Sequence, residues 1–297
     1  MDGVLVLDKP EGLTSHDVVA AARRALREKR IGHTGTLDPL ATGVLPLACG
    51  RATRLVRFLT ASDKDYDATI AFGFTTDTYD VTGTRTSESD RRPDRDEVER
   101  ALSSLTGTYP QMPPAYSAKK VGGTRAYEMA RRQEPVELTP VTVTVSRAEL
   151  LDFDERSVRV GITCSAGFYV RAFASTLGEL TGSGACLQAL RRTRSGEFTL
   201  ADAVPLGEMV ADAGHAGGRI LPMERLLGSF PAVRLTSLER ARVSHGGDLD
   251  GPAPASGAAS GEPSAAWVRL FDPDGQLVAL AIPGTRPGSL HPAVVLI

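Results

Sequence analysis

Gly32-His33-Thr34-Gly35-Thr36-Leu37-Asp38-Pro39-Leu40-Ala41-Thr42-Gly43-Val44-Leu45-Pro46 concentrates three glycines, a histidine and an Asp-Pro pair in one short stretch. An Asp-Pro pair is by itself a turn signal, and most are only that. A lone histidine is more often a packing residue than a functional one. The setting of this stretch alters that balance. Its glycines let backbone approach another group closely. Basic residues stand on both sides, with Arg23, Arg24, Arg27, Lys29 and Arg30 before it and Arg51, Arg54 and Arg57 after it. A carboxylate in a glycine-rich, electropositive loop is a candidate nucleophile, and Asp38 is that carboxylate.

The whole chain sets the frame. It has 297 residues, 41% of them hydrophobic, and a formal net charge of -2. That length suits one large domain, or a large domain with a small appendage, and the apolar content excludes global disorder. Net charge does not announce a nucleic-acid binder, but the basic residues are grouped. Lys119, Lys120, Arg125, Arg131 and Arg132 form a third cluster, and Arg191, Arg192 and Arg194 a fourth. A charged run alone is usually a solvated face; four of them make a basic groove plausible. Cys49, Cys164 and Cys186 have no C-x-x-C spacing and read as reduced, buried thiols. The N-terminus lacks a signal-peptide pattern, and no run approaches 18 apolar residues, so a cytoplasmic protein without a membrane span is expected.

Other chemistries lack their sites. Ser15, His16 and Asp17 are adjacent and cannot converge as a triad, so a helix cap is the better account of Ser15. There is no phosphate-binding P-loop, no dinucleotide fingerprint and no nucleophile elbow. The histidines are too scattered for a metal centre. Neither a metal nor a cofactor is expected.

The patterning predicts an α+β protein. Val4 to Leu7 reads as a buried strand, and Thr14 or Ser15 caps a helix running to about Arg30. Residues 31–50 read as mostly loop, with a short strand around Gly43 to Ala48. Arg51 to Leu59 is helical, and Tyr66 to Phe74 alternates as a strand. Thr84 to Arg95 reads as a mobile loop, and Asp96 to Leu105 as a helix. Beyond these come a short helix over Tyr127 to Arg132, strands at Val141 to Val145 and Val158 to Ser165, and a helix at Val170 to Leu180. Leu206 to Ala211 closes this part with a further helix. From about residue 229 a small β-rich unit is expected, with strands at Trp267 to Phe271 and Leu277 to Ile282. Its Gly/Pro/Ala/Ser-rich segment 246–266 reads as a flexible loop.

A resemblance sharpens this reading. Lys9-Pro10-Glu11-Gly12-Leu13-Thr14-Ser15-His16-Asp17-Val18-Val19 looks like the first motif of the TruB pseudouridine synthases, and Gly32 to Pro46 resembles their catalytic motif almost residue for residue. Further matches follow in order: Asp63-Lys64-Asp65-Tyr66, Tyr116-Ser117-Ala118-Lys119-Lys120-Val121-Gly122-Gly123, Gly167-Phe168-Tyr169-Val170-Arg171 and Leu190-Arg191-Arg192-Thr193. The resemblance covers about residues 3–228 and is weak beyond Ser229.

It implies a catalytic domain at 1–228 with a central, mainly antiparallel sheet flanked by helices. A mobile insertion over about 110–140 would close on RNA, and a PUA-like RNA-binding module would occupy 229–297. It implies that Asp38 is the essential carboxylate, that Tyr66 is the active-site tyrosine, and that Arg171 pairs with the aspartate. His33 would help extrude the target nucleotide, Tyr169 and Leu190 would line the uridine pocket, and Lys9 and Lys64 would contact substrate. The implied reaction is conversion of uridine 55 in the T-loop of tRNA to pseudouridine, by a monomer without guide RNA. Two rivals stand beside it: a pseudouridine synthase with another RNA target, including RNA-guided relatives, and a non-catalytic RNA-binding protein. The compact start at the Val4 to Leu7 strand favours the stand-alone bacterial type.

Overall fold

The computed structural model describes residues 1–117, 119–121, 124–126, 129, 132, 138–250 and 267–297. Its centre is an eleven-stranded mixed sheet. The main path runs Val204–Pro205, Gly3–Lys9, Ala41–Cys49, Ala185–Ser195, Lys64–Phe72, Ser157–Cys164, Val141–Asp154 and Gly107–Gln111. Two joints in this path are parallel, Gly3–Lys9 with Val204–Pro205 and Ala41–Cys49 with Ala185–Ser195; the others are antiparallel. The expected α+β class with a mainly antiparallel sheet therefore holds.

The first strand shows why this sheet is buried on both faces. Leu5 and Leu7 point into one core, and Val4 and Val6 into another. An alternating strand with two apolar faces reads as a continuous apolar run, as parallel and central strands do. On the first face lie Val18, Val19 and Ala22 of the helix Ser15–Leu26, Val98, Ala101 and Leu102 of Arg95–Ser104, and Phe173, Ala174 and Leu177 of Val170–Leu180. Thr14 caps the first of these helices, its hydroxyl accepting from the Asp17 amide while Asp17 accepts from the Thr14 amide. Ser15, the alternative cap, is buried inside the fold instead.

The second face packs on a five-stranded sheet built from Ala232–Arg234, Val268–Phe271, Leu277–Pro283, Ser289–Val295 and Leu249–Asp250. Leu277, Leu280 and Leu296 share one core with Val4, Val6, Val44 and Leu55. Phe58 stacks edge-on against Trp267 at 4.7 Å and Phe230 at 6.1 Å. The second basic cluster is spent on this junction. Arg51 pairs with Asp2 and donates to the Leu296 carbonyl, Arg54 donates to the Val295 carbonyl, and Arg57 lies over the Phe58 and Trp267 rings.

Several expectations are corrected. Residues 31–50 are not mostly loop: Ile31–His33 and the nine-residue Ala41–Cys49 are strands, leaving only residues 34–40 between them. Ala41–Cys49 is buried along nearly its whole length, so its small residues mark close packing rather than looseness. Arg85–Glu88 within the expected mobile loop pairs with Phe74–Thr76. Ala185–Ser195, near the middle of the sheet, is a strand that the patterning does not reveal. Most of the expected helix at Tyr127 to Arg132 and most of the 246–266 loop lie outside the described residues, although Leu249–Asp250 forms a short strand.

Candidate active site

Asp38 sits in the turn between Ile31–His33 and Ala41–Cys49, with the Ala41 amide donating to its carbonyl at 3.0 Å. That turn is gripped from three directions. Ser15 Oγ accepts from the Leu37 amide at 2.8 Å and donates to the Leu37 carbonyl at 3.1 Å. The Gly12 amide donates to the Pro39 carbonyl at 2.8 Å. Lys9 Nζ donates to the carbonyls of Ala41 at 2.6 Å, Pro10 at 2.9 Å and Pro39 at 3.3 Å. The residues of the first motif thus act together as a cradle for the loop that carries Asp38. Gly43 is obligatory here. Its φ is +100°, and a Cβ would stand 2.2 Å from the Arg192 carbonyl oxygen of the adjacent strand.

Arg171, the second residue of the helix Val170–Leu180, is 7% exposed and fully engaged. Its Nε donates to Asp38 Oδ2 at 2.8 Å, Nη1 to the Thr78 carbonyl at 2.9 Å and Nη2 to the Tyr116 carbonyl at 2.8 Å. Such charge-assisted bonds fix the carboxylate in direction as well as place. The Asp38 side chain remains 41% exposed, so it is held and yet open to a ligand. A second, buried carboxylate stands behind the arginine: Asp80 Oδ2 lies 3.7 Å from Nε, while its Oδ1 accepts from Thr78 Oγ1, the Thr82 amide and Thr82 Oγ1. The turn that presents Asp80 passes through Tyr79 at φ +63°, a left-handed conformation uncommon outside glycine. Nothing in the local sequence singles out Asp80, because its role depends on partners across the chain.

The cleft in front of Asp38 has a volume of about 120 Å³ and is lined by Leu37, Tyr66, Ser117, Phe168, Tyr169, Arg171 and Leu190, among others. That is below the roughly 300 Å³ at which ordinary small-molecule pockets begin and suits a single planar ring between aromatic and aliphatic walls. Tyr169 is braced by buried Gln111, whose Oε1 accepts from the Tyr169 amide at 2.8 Å and whose Nε2 donates to its carbonyl at 3.1 Å. Burial pushes the phenols of Tyr66 and Tyr169 up; Arg192 opposes this at Tyr66, and the neighbouring Ser117 hydroxyl and Arg171 oppose it at Tyr169.

Of the residues that the sequence singles out, Asp38, Tyr66, Tyr169, Arg171 and Leu190 converge on this cleft. His33 does not line it; it lies on the strand entering the loop, edge-on to His16 at 5.5 Å. Lys9 and Lys64 are interior residues, 0% and 6% exposed, and both donate to backbone carbonyls, Lys64 to those of Thr60 and Ser62. Neither ammonium is presented to a substrate. Burial is the chief reason that each is pushed down to about 8. Among the described residues no three His, Cys, Asp or Glu side chains gather as a metal-ligand set, and no helix is long and apolar enough to cross a membrane.

Chains of solved complexes share this architecture. One from a Cbf5-Nop10-Gar1 complex superposes with a TM-score of 0.76 at 28% identity, covering 99% of this chain and 85% of that one. Another, from an H/ACA RNP bound to a substrate RNA containing 2'-deoxyuridine, gives 0.74 at 26%, with coverage of 99% and 85%. The fold is that of a pseudouridine synthase. Residues 23–170 match the model of the TruB family pseudouridylate synthase N-terminal domain. The chain is 44% identical to tRNA pseudouridine synthase B of Solibacter usitatus over the full length of both, and 39% identical to that of Bacillus cereus over 100% of this chain and 98% of the relative. It is 49% identical to the Symbiobacterium thermophilum enzyme over 83% and 82%. The chain belongs to the TruB family of pseudouridylate synthases.

Proposed function

We propose that this protein is a tRNA pseudouridine synthase that isomerises the T-loop uridine at position 55. The observation that carries the reading is a half-exposed Asp38 carboxylate, fixed by buried Arg171, at the mouth of a cleft sized for one ring. Pseudouridine formation breaks the N1–C1′ bond, turns the base and joins C5 to C1′, with no net redox change and no group donor. Asp38 acts at the sugar, either at C1′ itself or in proton removal. Tyr66 packs on the base and takes the C5 proton after rejoining. Tyr169 and Leu190 complete the slot.

A uridine inside a folded loop must be flipped to reach Asp38, at a cost of a few kcal/mol of stacking. His33, on the strand that leads into the loop, takes part in extruding and positioning the target nucleotide. Residues of the 110–140 insertion close over the RNA, and residues 229–297 form a PUA-like unit that grips it further from the site. The protein works in the cytoplasm as a monomer, without guide RNA or a cofactor.

Incubating the purified protein with tRNA transcripts and nothing else, then mapping pseudouridines, tests the reading. Modification at position 55 is expected. Modification at other sites overturns the substrate assignment. Dependence on an added RNA or protein favours the RNA-guided rival, and tight binding without product removes the catalytic role.

A further inference from the structure

Among the described residues Arg192 is the largest fully buried side chain, 1% exposed, and no carboxylate pairs with it. Burying an unpaired guanidinium is costly, so its partners must account for its presence. Its Nε donates to the Val44 carbonyl at 2.7 Å and its Nη2 to the Gly35 carbonyl at 3.1 Å. Those carbonyls lie on either side of Asp38 in the chain, one within the turn and one on the strand Ala41–Cys49. The register of the sheet sets Arg192 directly opposite Tyr66. The close approach of its backbone at Gly43 locks the same strand against the loop.

We propose that Arg192 is a positioning residue for the isomerisation. Its rigid fork ties both ends of the catalytic loop to the strand facing Tyr66, and so sets the separation of the Asp38 carboxylate and the Tyr66 phenol across the cleft. Lysine is a poor substitute, because an ammonium on a flexible stem lacks the planar donors that span two carbonyls. The guanidinium also biases its neighbours. It draws the Tyr66 phenol down against the upward push of burial, while Asp38 from the loop opposes it. Burial pushes the Cys164 thiol up to about 12, so it stays neutral through the working range. Arg192 also lowers Lys9 and Lys64. Removing this cation therefore moves all three neighbouring ionisations to higher pH.

The proposal rests on the pseudouridine synthase reading, and its test separates the two. Full-length parent, Arg192→Gln and Arg192→Lys are compared on tRNA for single-turnover rate from pH 6.5 to 9.5, tRNA Kd and thermal midpoint. A parent that makes no pseudouridine fails the functional reading before any variant is considered. With an active parent, Arg192→Gln is expected to lose about 100-fold in rate, the scale of an ångström-level misplacement, with Kd within about threefold. Arg192→Lys, which keeps the charge without the fork, is expected to restore part of the rate. Unchanged rates overturn the proposal. So does a rate loss matched by an equal loss of binding, or one that lysine does not relieve. If neither variant folds, Arg192 is a folding residue and the positioning role is likewise overturned.

Discussion

Two arginine-rich stretches flank the catalytic loop, one ahead of it in the chain and one beside it in the sheet, and they do opposite work. Arg24, Arg27, Lys29 and Arg30 lie at the end of the helix Ser15–Leu26 and beyond it, and all are exposed. Arg191, Arg192 and Arg194 lie on the strand Ala185–Ser195 and are tied inward or sideways. Arg191 grips Asp8 through two nitrogens, Arg194 grips Asp65 in the same way, and Arg192 holds the loop. As sequence the two stretches look alike. The helix end leaves its charges in solvent; the strand crosses the core, and its charges become internal fastenings. Binding and turnover should therefore separate along this line.

The largest effect expected is at Asp38. Asp38→Asn keeps size and hydrogen bonding but removes the charge, and pseudouridine formation is expected to vanish while tRNA binding stays within about tenfold, roughly 1.4 kcal/mol. Retained turnover in the purified variant contradicts the role of the carboxylate. The reverse pattern is expected at the helix end. Replacing Arg24, Arg27, Lys29 and Arg30 together by Ala should weaken tRNA binding and flatten its salt dependence, by about 0.7–0.9 in log–log slope for each phosphate that is no longer neutralised. The single-turnover rate at saturating tRNA should be unchanged. A loss of rate without a loss of affinity would break the division between the two stretches.

Much of this arrangement is legible in the sequence, and the parts that are not share a physical cause. Asp38, Tyr66, Tyr169, Arg171 and Leu190 converge as the motif match implies, and the helix Val170–Leu180 has the expected bounds. Three readings fare worse. Lys9 and Lys64 read as substrate-facing cations, yet both are buried on backbone carbonyls. Ala185–Ser195 is hidden because its arginines read as a solvated run. Asp80 and Gln111 carry no signal at all. The lysines and Gln111 are satisfied by backbone groups, the strand's arginines by partners distant in sequence, and Asp80, though held by Thr78 and Thr82, meets Arg171 only in the fold; apolar patterning encodes none of these matches. Apolar periodicity reports which face is buried; it does not report a charge that has been taken inside.

The interior lysines offer a measurement of that hidden charge. Lys64 titrates near 8 in the fold against 10.5 for its ordinary value, with burial the main cause. Between those values the unfolded chain holds the extra proton, so folding stability should rise with pH; below about 8 both states are protonated and the burial penalty is fully felt. Lys9 acts in the same direction. Lys64→Met keeps the volume without the charge, and denaturant titrations from pH 7.5 to 10 should show about half of the rise removed, on the order of 1–3 kcal/mol. An undiminished slope would place the titrating charge elsewhere.

The smallest effect expected is the sharpest check on the comparison, because it concerns an arginine that a basic-patch reading assigns to RNA. Arg194 donates twice to Asp65 at 2.7 Å and once to the Gly196 carbonyl at 3.0 Å, and its side chain is only 31% exposed. Leaving Asp65 for a phosphate would exchange one bidentate anion partner for another and strand a carboxylate beside the RNA, so little affinity is available from it. Arg194→Ala should cost under about 1 kcal/mol of stability, as partly exposed pairs do. It should leave tRNA affinity within about twofold, or about 0.4 kcal/mol, and the salt slope unaltered. A slope that falls by nearly one unit would show that Arg194 does reach a phosphate, and the strand would then contribute to binding as the helix end does.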